Sequence, residues 1–211
     1  MKALIVAAGE APSENLLRKR AGQADLKIAV DGGVAAFKSA DVMPDLIVGD
    51  MDSADEELLT YFAGKGSGRI SLECEKDDTD TFVALEAAVK KGAADVLILG
   101  ALGGRADHLL SNIMLLKWAL QKGVRVVLED DLQTIEACAG SFEIVGEAGQ
   151  TVSILPADAS VTVTATGLQY PLDNLVLTND RPRGVSNVLQ CEKAAVHVSG
   201  PVLIIKNKIE K

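Results

Sequence analysis

Short apolar runs alternate with amphipathic stretches through the first 130 residues of this chain. The runs at 2–8, 26–30, 45–49, 69–72, 95–99 and 124–128 read as strands. Between them the pattern predicts helices over 12–21, where Pro12 suits a first turn, and over 34–39. Ser53-Ala54-Asp55-Glu56 has capping-box spacing and opens a helix to about Phe62. From Thr79 onward Phe82, Leu85 and Val89 recur at helical spacing. A long helix over 107–122 carries an apolar face that includes Leu110, Met114 and Leu115. Repeated βα alternation of this kind argues for a largely parallel, helix-flanked sheet.

After Asp131 the texture changes to β-rich segments at 132–138, 150–155 and 160–166, where Val161-Thr162-Val163-Thr164 alternates as a half-buried strand does. Segments 195–198 and 202–206 continue the pattern, with Gly200-Pro201 read as a turn between them. No helix is evident in this half. The fold class is therefore α/β: an N-terminal, largely parallel, helix-flanked sheet over 1–130 and an antiparallel β-sandwich over 131–211. The glycine-rich stretch Gly64-Lys65-Gly66-Ser67-Gly68 reads as a mobile surface loop.

Composition narrows the field. At 211 residues the chain can bury a sizeable core in one large domain or two small ones. Aromatic residues make up only 3%, too few for extended base-stacking platforms. The net charge of −9 opposes any broad interface with a nucleic-acid backbone, which needs clustered Lys and Arg. A small anionic ligand stays compatible if a metal bridges it to carboxylates. Three cysteines with no C-x-x-C pair read as reduced thiols, no stretch reaches the length of a membrane span, and the chain reads as cytoplasmic.

The chemistry concentrates in four short motifs: Asp31-Gly32-Gly33, Gly49-Asp50-Met51-Asp52-Ser53, Lys76-Asp77-Asp78-Thr79-Asp80 and Gly100-Ala101-Leu102-Gly103-Gly104-Arg105-Ala106-Asp107-His108. Three of them directly follow an apolar run, and loops at the carboxyl ends of strands form the ligand crevice of an open α/β sheet. In an extended segment Asp50 and Asp52 share a face roughly 6–7 Å apart. At an effective dielectric near 20 their repulsion is about 3 kcal/mol, which a cation would relieve. Magnesium suits such a pair, since Mg²⁺ takes one or two carboxylates plus waters and substrate phosphates. Asp77 and Asp80, three apart, share a face in a first helical turn, although acidic residues also favour helix starts as caps. Glycines before Arg105 let a ligand approach the backbone, and a helix start offers N–H groups to an anion. A plain glycine turn capped by Asp107 explains the same residues, as a solvated Asp-Gly turn explains Asp31. Neither G-x-G-x-x-G nor a P-loop is present.

In order, DGG, PDLIVGDMDS, KDDTD and LGALGGRADHLLSN, followed by GLQYPL at 167–172 and GVSN at 184–187, resemble the thiamine pyrophosphokinase family over about residues 4–206. That resemblance implies transfer of a pyrophosphoryl group from ATP to the hydroxyl of thiamine, and a homodimer with shared active sites. It implies Mg²⁺ on Asp50, Asp52, Asp77 and Asp80, which with Arg105 form the catalytic set. Asp31, Gly32, Gly33, Lys76, Gly104, Asp107 and His108 would surround the ATP phosphates. Ser186, Asn187 and Tyr170 would face thiamine. The chain departs from the family in carrying Val188 where an acidic residue often follows the Ser-Asn pair, and its single tryptophan is Trp118. Two other readings remain at this level. One is a metal-dependent nucleotidyl- or glycosyltransferase using the D-x-D site; the other is a non-catalytic thiamine- or nucleotide-binding module.

Overall fold

A computed structural model describes residues 1–49, 56–71, 78–181 and 183–209. The chain divides into two compact units, Met1–Asp131 and Leu132–Lys211.

The first unit is built on six parallel strands: β1 (Lys2–Val6), β2 (Leu26–Val30), β3 (Leu46–Gly49), β4 (Gly68–Ser71), β5 (Asp95–Leu99) and β6 (Arg125–Glu129). Their spatial order is β6-β5-β1-β2-β3-β4. Between them run α1 (Glu14–Ala21), α2 (Gly33–Ser39), α3 (Glu56–Gly64), α4 (Asp80–Lys90) and α5 (Ala106–Gln121). Parallel strands covered on both faces read as continuous apolar runs. Accordingly Ile5, Val6, Ile28, Ile47, Val48 and Ile98 are fully buried, with Leu17, Phe37 and Phe62 from the helices packed beside them.

Several local expectations shift. Pro12 lies outside α1, because Ser13 is the N-cap and its Oγ accepts from the Leu16 N–H at 3.3 Å. Ser53 lies outside the described residues, so the expected capping box is not described; α3 is described from Glu56. The glycine stretch after it is a tight turn between α3 and β4, held by the buried Ser67, whose Oγ donates to the Pro44 carbonyl at 2.7 Å. On α5 the buried face is Asn112, Leu115, Leu116 and Ala119, whereas Leu110 and Met114 are 56% and 70% exposed. Of the expected face only Leu115 is buried: the observed stripe is rotated to include a polar residue, Asn112, whose hydrogen bond makes its burial tolerable. Trp118 is half-buried, with the Phe82 ring edge-on at 5.0 Å.

The second unit is antiparallel: β7 (Gln133–Val145), β8 (Thr151–Pro156), β9 (Ser160–Thr166), β10 (Leu172–Thr178), the short β11 (Asn187–Val188) and β12 (Lys193–Asn207). Gly200-Pro201 does not separate two strands. The chain continues as the single 15-residue β12, with a register shift between Val198 and Val202. Proline removes one ladder donor without reversing the chain, so the result is a bulge that bends the strand. Before the bulge β12 pairs with β9, and after it with β8. The bend lets both partners close over one core of Val152, Ile154, Val161, Val163, Leu177 and Val202. No helix occurs among the described residues of this unit, and Cys138 and Cys191 are not in disulfides. No helix among the described residues is long and apolar enough to cross a membrane.

Candidate active site

The carboxyl ends of β1, β2 and β5 open onto a cavity of about 600 Å³ in the first unit. Its walls are residues 7–10 after β1, Asp31 after β2, the start of α4, and the β5–α5 turn with the first two turns of α5. Two of the parallel crossovers therefore aim helix N-termini at one space, with backbone N–H groups and positive dipole ends toward it.

Asp31 enters this space from a strained backbone. Its φ is 45°, a left-handed value unusual for a residue with a side chain, and it is fixed there by hydrogen bonds to Val48 and from Val34. Gly49 is what admits the carboxylate: a Cβ on Gly49 would overlap Asp31 Oδ1. Gly33 has a packing reason of its own, since a Cβ there would collide with the Val6 carbonyl where α2 meets β1. Neither Gly32 nor Gly33 lines the cavity.

Asp80 is the first residue of α4 and lines the cavity. Capping of α4 falls to Thr79, whose Oγ1 accepts from the Phe82 N–H at 3.2 Å. Asp80 is thus not needed as the cap, and it lines the site. Asp31 and Asp80 bring hard oxygen donors to one space, chemistry that fits Mg²⁺. Among the described residues no three His, Cys, Asp or Glu side chains cluster as a metal site. Asp50, Asp52, Lys76 and Asp77 lie outside the described residues.

The β5–α5 turn carries Gly103 and Gly104 at φ 79° and 70°, conformations a side chain would strain. Beyond them Arg105, exposed and lining the cavity, is paired with Asp107. Its Nε donates to Oδ1 at 3.1 Å and its Nη2 to Oδ2 at 2.6 Å. The His108 N–H also donates to Asp107 Oδ1 at 2.9 Å. These bonds, Arg105 first, hold the Asp107 carboxyl down at about 2, and Asp107 in turn raises the Arg105 guanidinium. The alternative of Asp107 as an N-cap does not hold: Arg105 occupies that position, without a side-chain cap. Asp107 occupies one edge of the guanidinium and leaves the Nη1–Nη2 edge for an anion. His108 lines the cavity one turn further on; Asp107 does not.

The polar lining also includes Glu10 and Thr81, which no motif contains, and Asn112, which ends the LGALGGRADHLLSN motif without an assigned role. The signal for Asn112 was its spacing, four residues after His108 and so on the same helical face.

In the second unit Ser186, Asn187 and Tyr170 sit close together. Asn187 is 6% exposed, and its side chain grips the Tyr170 backbone: Oδ1 accepts from Tyr170 N at 3.0 Å and Nδ2 donates to Tyr170 O at 2.7 Å. Oδ1 also accepts from Val188 N at 2.9 Å. Tyr170 itself is 60% exposed, and Ser186 has φ 57° with its N–H donating to Ser153 Oγ.

An acidic, arginine-bearing cavity at the carboxyl edge of a parallel sheet, in a chain that also carries an antiparallel β unit, defines a two-unit α/β enzyme. The chain matches the family model described as thiamin pyrophosphokinase, catalytic domain, over residues 17–128, and that of the vitamin B1 binding domain over 141–203. It belongs to the thiamine pyrophosphokinase family and is an enzyme of this type. It is 29% identical over 211 residues to the thiamine pyrophosphokinase of Bacillus subtilis (strain 168), covering 97% of this chain and 98% of that one. The crystal structure of a Bacillus subtilis thiamine pyrophosphokinase superposes with a TM-score of 0.86 at 27% identity, covering all of both chains. That of an Enterococcus faecalis thiamin pyrophosphokinase family protein gives 0.85 at 28% identity, again over both chains in full.

Proposed function

We propose that this chain transfers the terminal pyrophosphoryl group of ATP to the hydroxyl of thiamine, giving thiamine diphosphate and AMP. The observation that carries this reading is the convergence of Asp31, Asp80, Arg105 and His108 on one cavity, in a chain of this family. The thiamine oxygen attacks the β-phosphorus while the bond from that phosphorus to the α–β bridging oxygen breaks. The hydroxyl proton passes to a carboxylate of the cavity. Charge gathers on the leaving AMP oxygen, and the Nη1–Nη2 edge of Arg105 and the amides of the Gly103-Gly104 turn stabilise it. Asp107 keeps the guanidinium aimed and charged. Mg²⁺, held by Asp80 with Asp50, Asp52 and Asp77, would supply charge neutralisation between the phosphates, and Lys76 would assist. For thiamine, Ser186 and the exposed ring of Tyr170 are the proposed contacts in the second unit, with Asn187 bracing Tyr170. The reading includes a cytoplasmic homodimer.

Incubation with ATP, thiamine and Mg²⁺ tests it. Thiamine diphosphate and AMP should form in equal amounts. ADP in place of AMP would mean transfer of a single phosphoryl group. Free pyrophosphate without thiamine diphosphate would point to a nucleotidyltransferase instead. Sedimentation equilibrium at twice the chain mass checks the dimer.

A further inference from the structure

Asn112 is 7% exposed, yet it lines the cavity. Its carboxamide has a defined orientation, because Nδ2 donates to the Ala101 carbonyl at 3.0 Å. A flipped amide would set Oδ1 against that carbonyl, acceptor to acceptor, so the flip is disfavoured. Oδ1 is then the carboxamide atom left for a ligand in the cavity.

The surroundings limit what that donor is. Ala7, Ala8, Val30 and Ala101 also line the cavity, small apolar groups suited to the faces of a flat ring. Arg105 lies seven residues earlier on the same side of the cavity, about 10 Å along the helix axis. A phosphate belongs at the Arg105 end, where donors gather, and is repelled by an acceptor such as Oδ1. The Asn112 end therefore takes the other end of a nucleotide.

Resting on the proposed use of ATP, we infer that Asn112 is a specificity-determining residue that accepts a hydrogen bond from the exocyclic amine of adenine. A base with an oxo group at that position sets lone pair against lone pair and is rejected. The aminopyrimidine of thiamine carries a similar amine; the adenine is preferred because this cavity holds the phosphate-binding end as well.

The experiment compares ATP with ITP, which replaces that amine by an oxo group, and measures AMP and IMP binding by calorimetry. The wild-type protein should favour ATP over ITP by at least about tenfold in kcat/KM. Asn112→Leu should bring the ratio toward one, and so should Asn112→Ala, which removes the amide without adding bulk. A merely structural Asn112 would lower both nucleotides equally and leave the ratio intact, and that result overturns the inference. So does a wild-type protein that uses ITP as well as ATP, or an Asn112→Leu protein altered only in thiamine binding. Should Asn112→Leu not fold, the wild-type and Asn112→Ala ratios decide. If no nucleotide yields thiamine diphosphate but AMP still binds at least tenfold tighter than IMP, the proposed reaction falls and the base-reading role stands. If neither monophosphate binds, both fall.

Discussion

Asp107 holds Arg105 by two parallel hydrogen bonds, Nε to Oδ1 at 3.1 Å and Nη2 to Oδ2 at 2.6 Å. The two residues lie at the start of α5, directly after a glycine turn, and both are exposed. An exposed pair of this kind adds little to stability. Its consequence is directional: a flexible side chain is aimed at the cavity before any substrate arrives.

Arg105→Lys should lower kcat by at least about tenfold, roughly 1.4 kcal/mol, since an ammonium cannot hold Asp107 and a phosphate through one planar fork. Steady-state kinetics with saturating ATP and thiamine measure this. An Arg105 that is only solvated would tolerate the change with kinetics unaltered.

Asp107→Asn should reduce kcat in the wild-type background and have much less effect in Arg105→Lys, because the carboxylate acts through the arginine. The double-mutant cycle reads that coupling. A second readout is acid. The Asp107 pKa is depressed from 3.8 to about 2, so its contribution to stability is present above 3.8 and is lost as pH falls toward 2. Any gap in melting temperature between wild type and Asp107→Asn should persist at pH 6 and close across that window. A gap constant from pH 6 to pH 2 would mean the carboxylate gains nothing from its partners.

Asp80 and Thr79 separate chemistry from capping. Thr79→Ala should cost about 1 kcal/mol in urea unfolding, the usual loss of an N-cap. Asp80→Asn should leave the unfolding midpoint near that of wild type while lowering kcat at least about tenfold and raising the Mg²⁺ concentration needed for half-maximal rate. Normal Mg²⁺ dependence in Asp80→Asn would remove Asp80 from the metal set.

Asn187→Ala removes three hydrogen bonds from a buried position and should destabilise the protein by about 2 kcal/mol. With Tyr170 released, KM for thiamine should rise about tenfold while KM for ATP stays level. Equal changes in both KM values would instead indicate general loosening of the fold.

Much of this protein was legible along the chain. Strands such as Leu26–Val30 and Asp95–Leu99 announce themselves because a parallel strand covered on both faces must be apolar throughout. The acidic and glycine motifs fall at strand ends for an equally local reason: there the chain must turn, and there a doubly covered sheet has its open edge. What the linear pattern could not decide was anything depending on a neighbour distant in sequence. The buried stripe of α5 runs through Asn112 instead of Leu110 and Met114 because the Ala101 carbonyl is there to receive it. Gly33 read as part of an Asp-Gly turn and Gly49 as the end of a strand, but their bareness is demanded by the Val6 carbonyl and the Asp31 carboxylate. Gly200-Pro201 bends one strand where it read as a break between two, because the partners on either side of the bulge keep the ladder going. Residue type and spacing determined which groups this protein has for its chemistry; contacts across the fold, which no local period encodes, decided which of them face the cavity and which hold others in place.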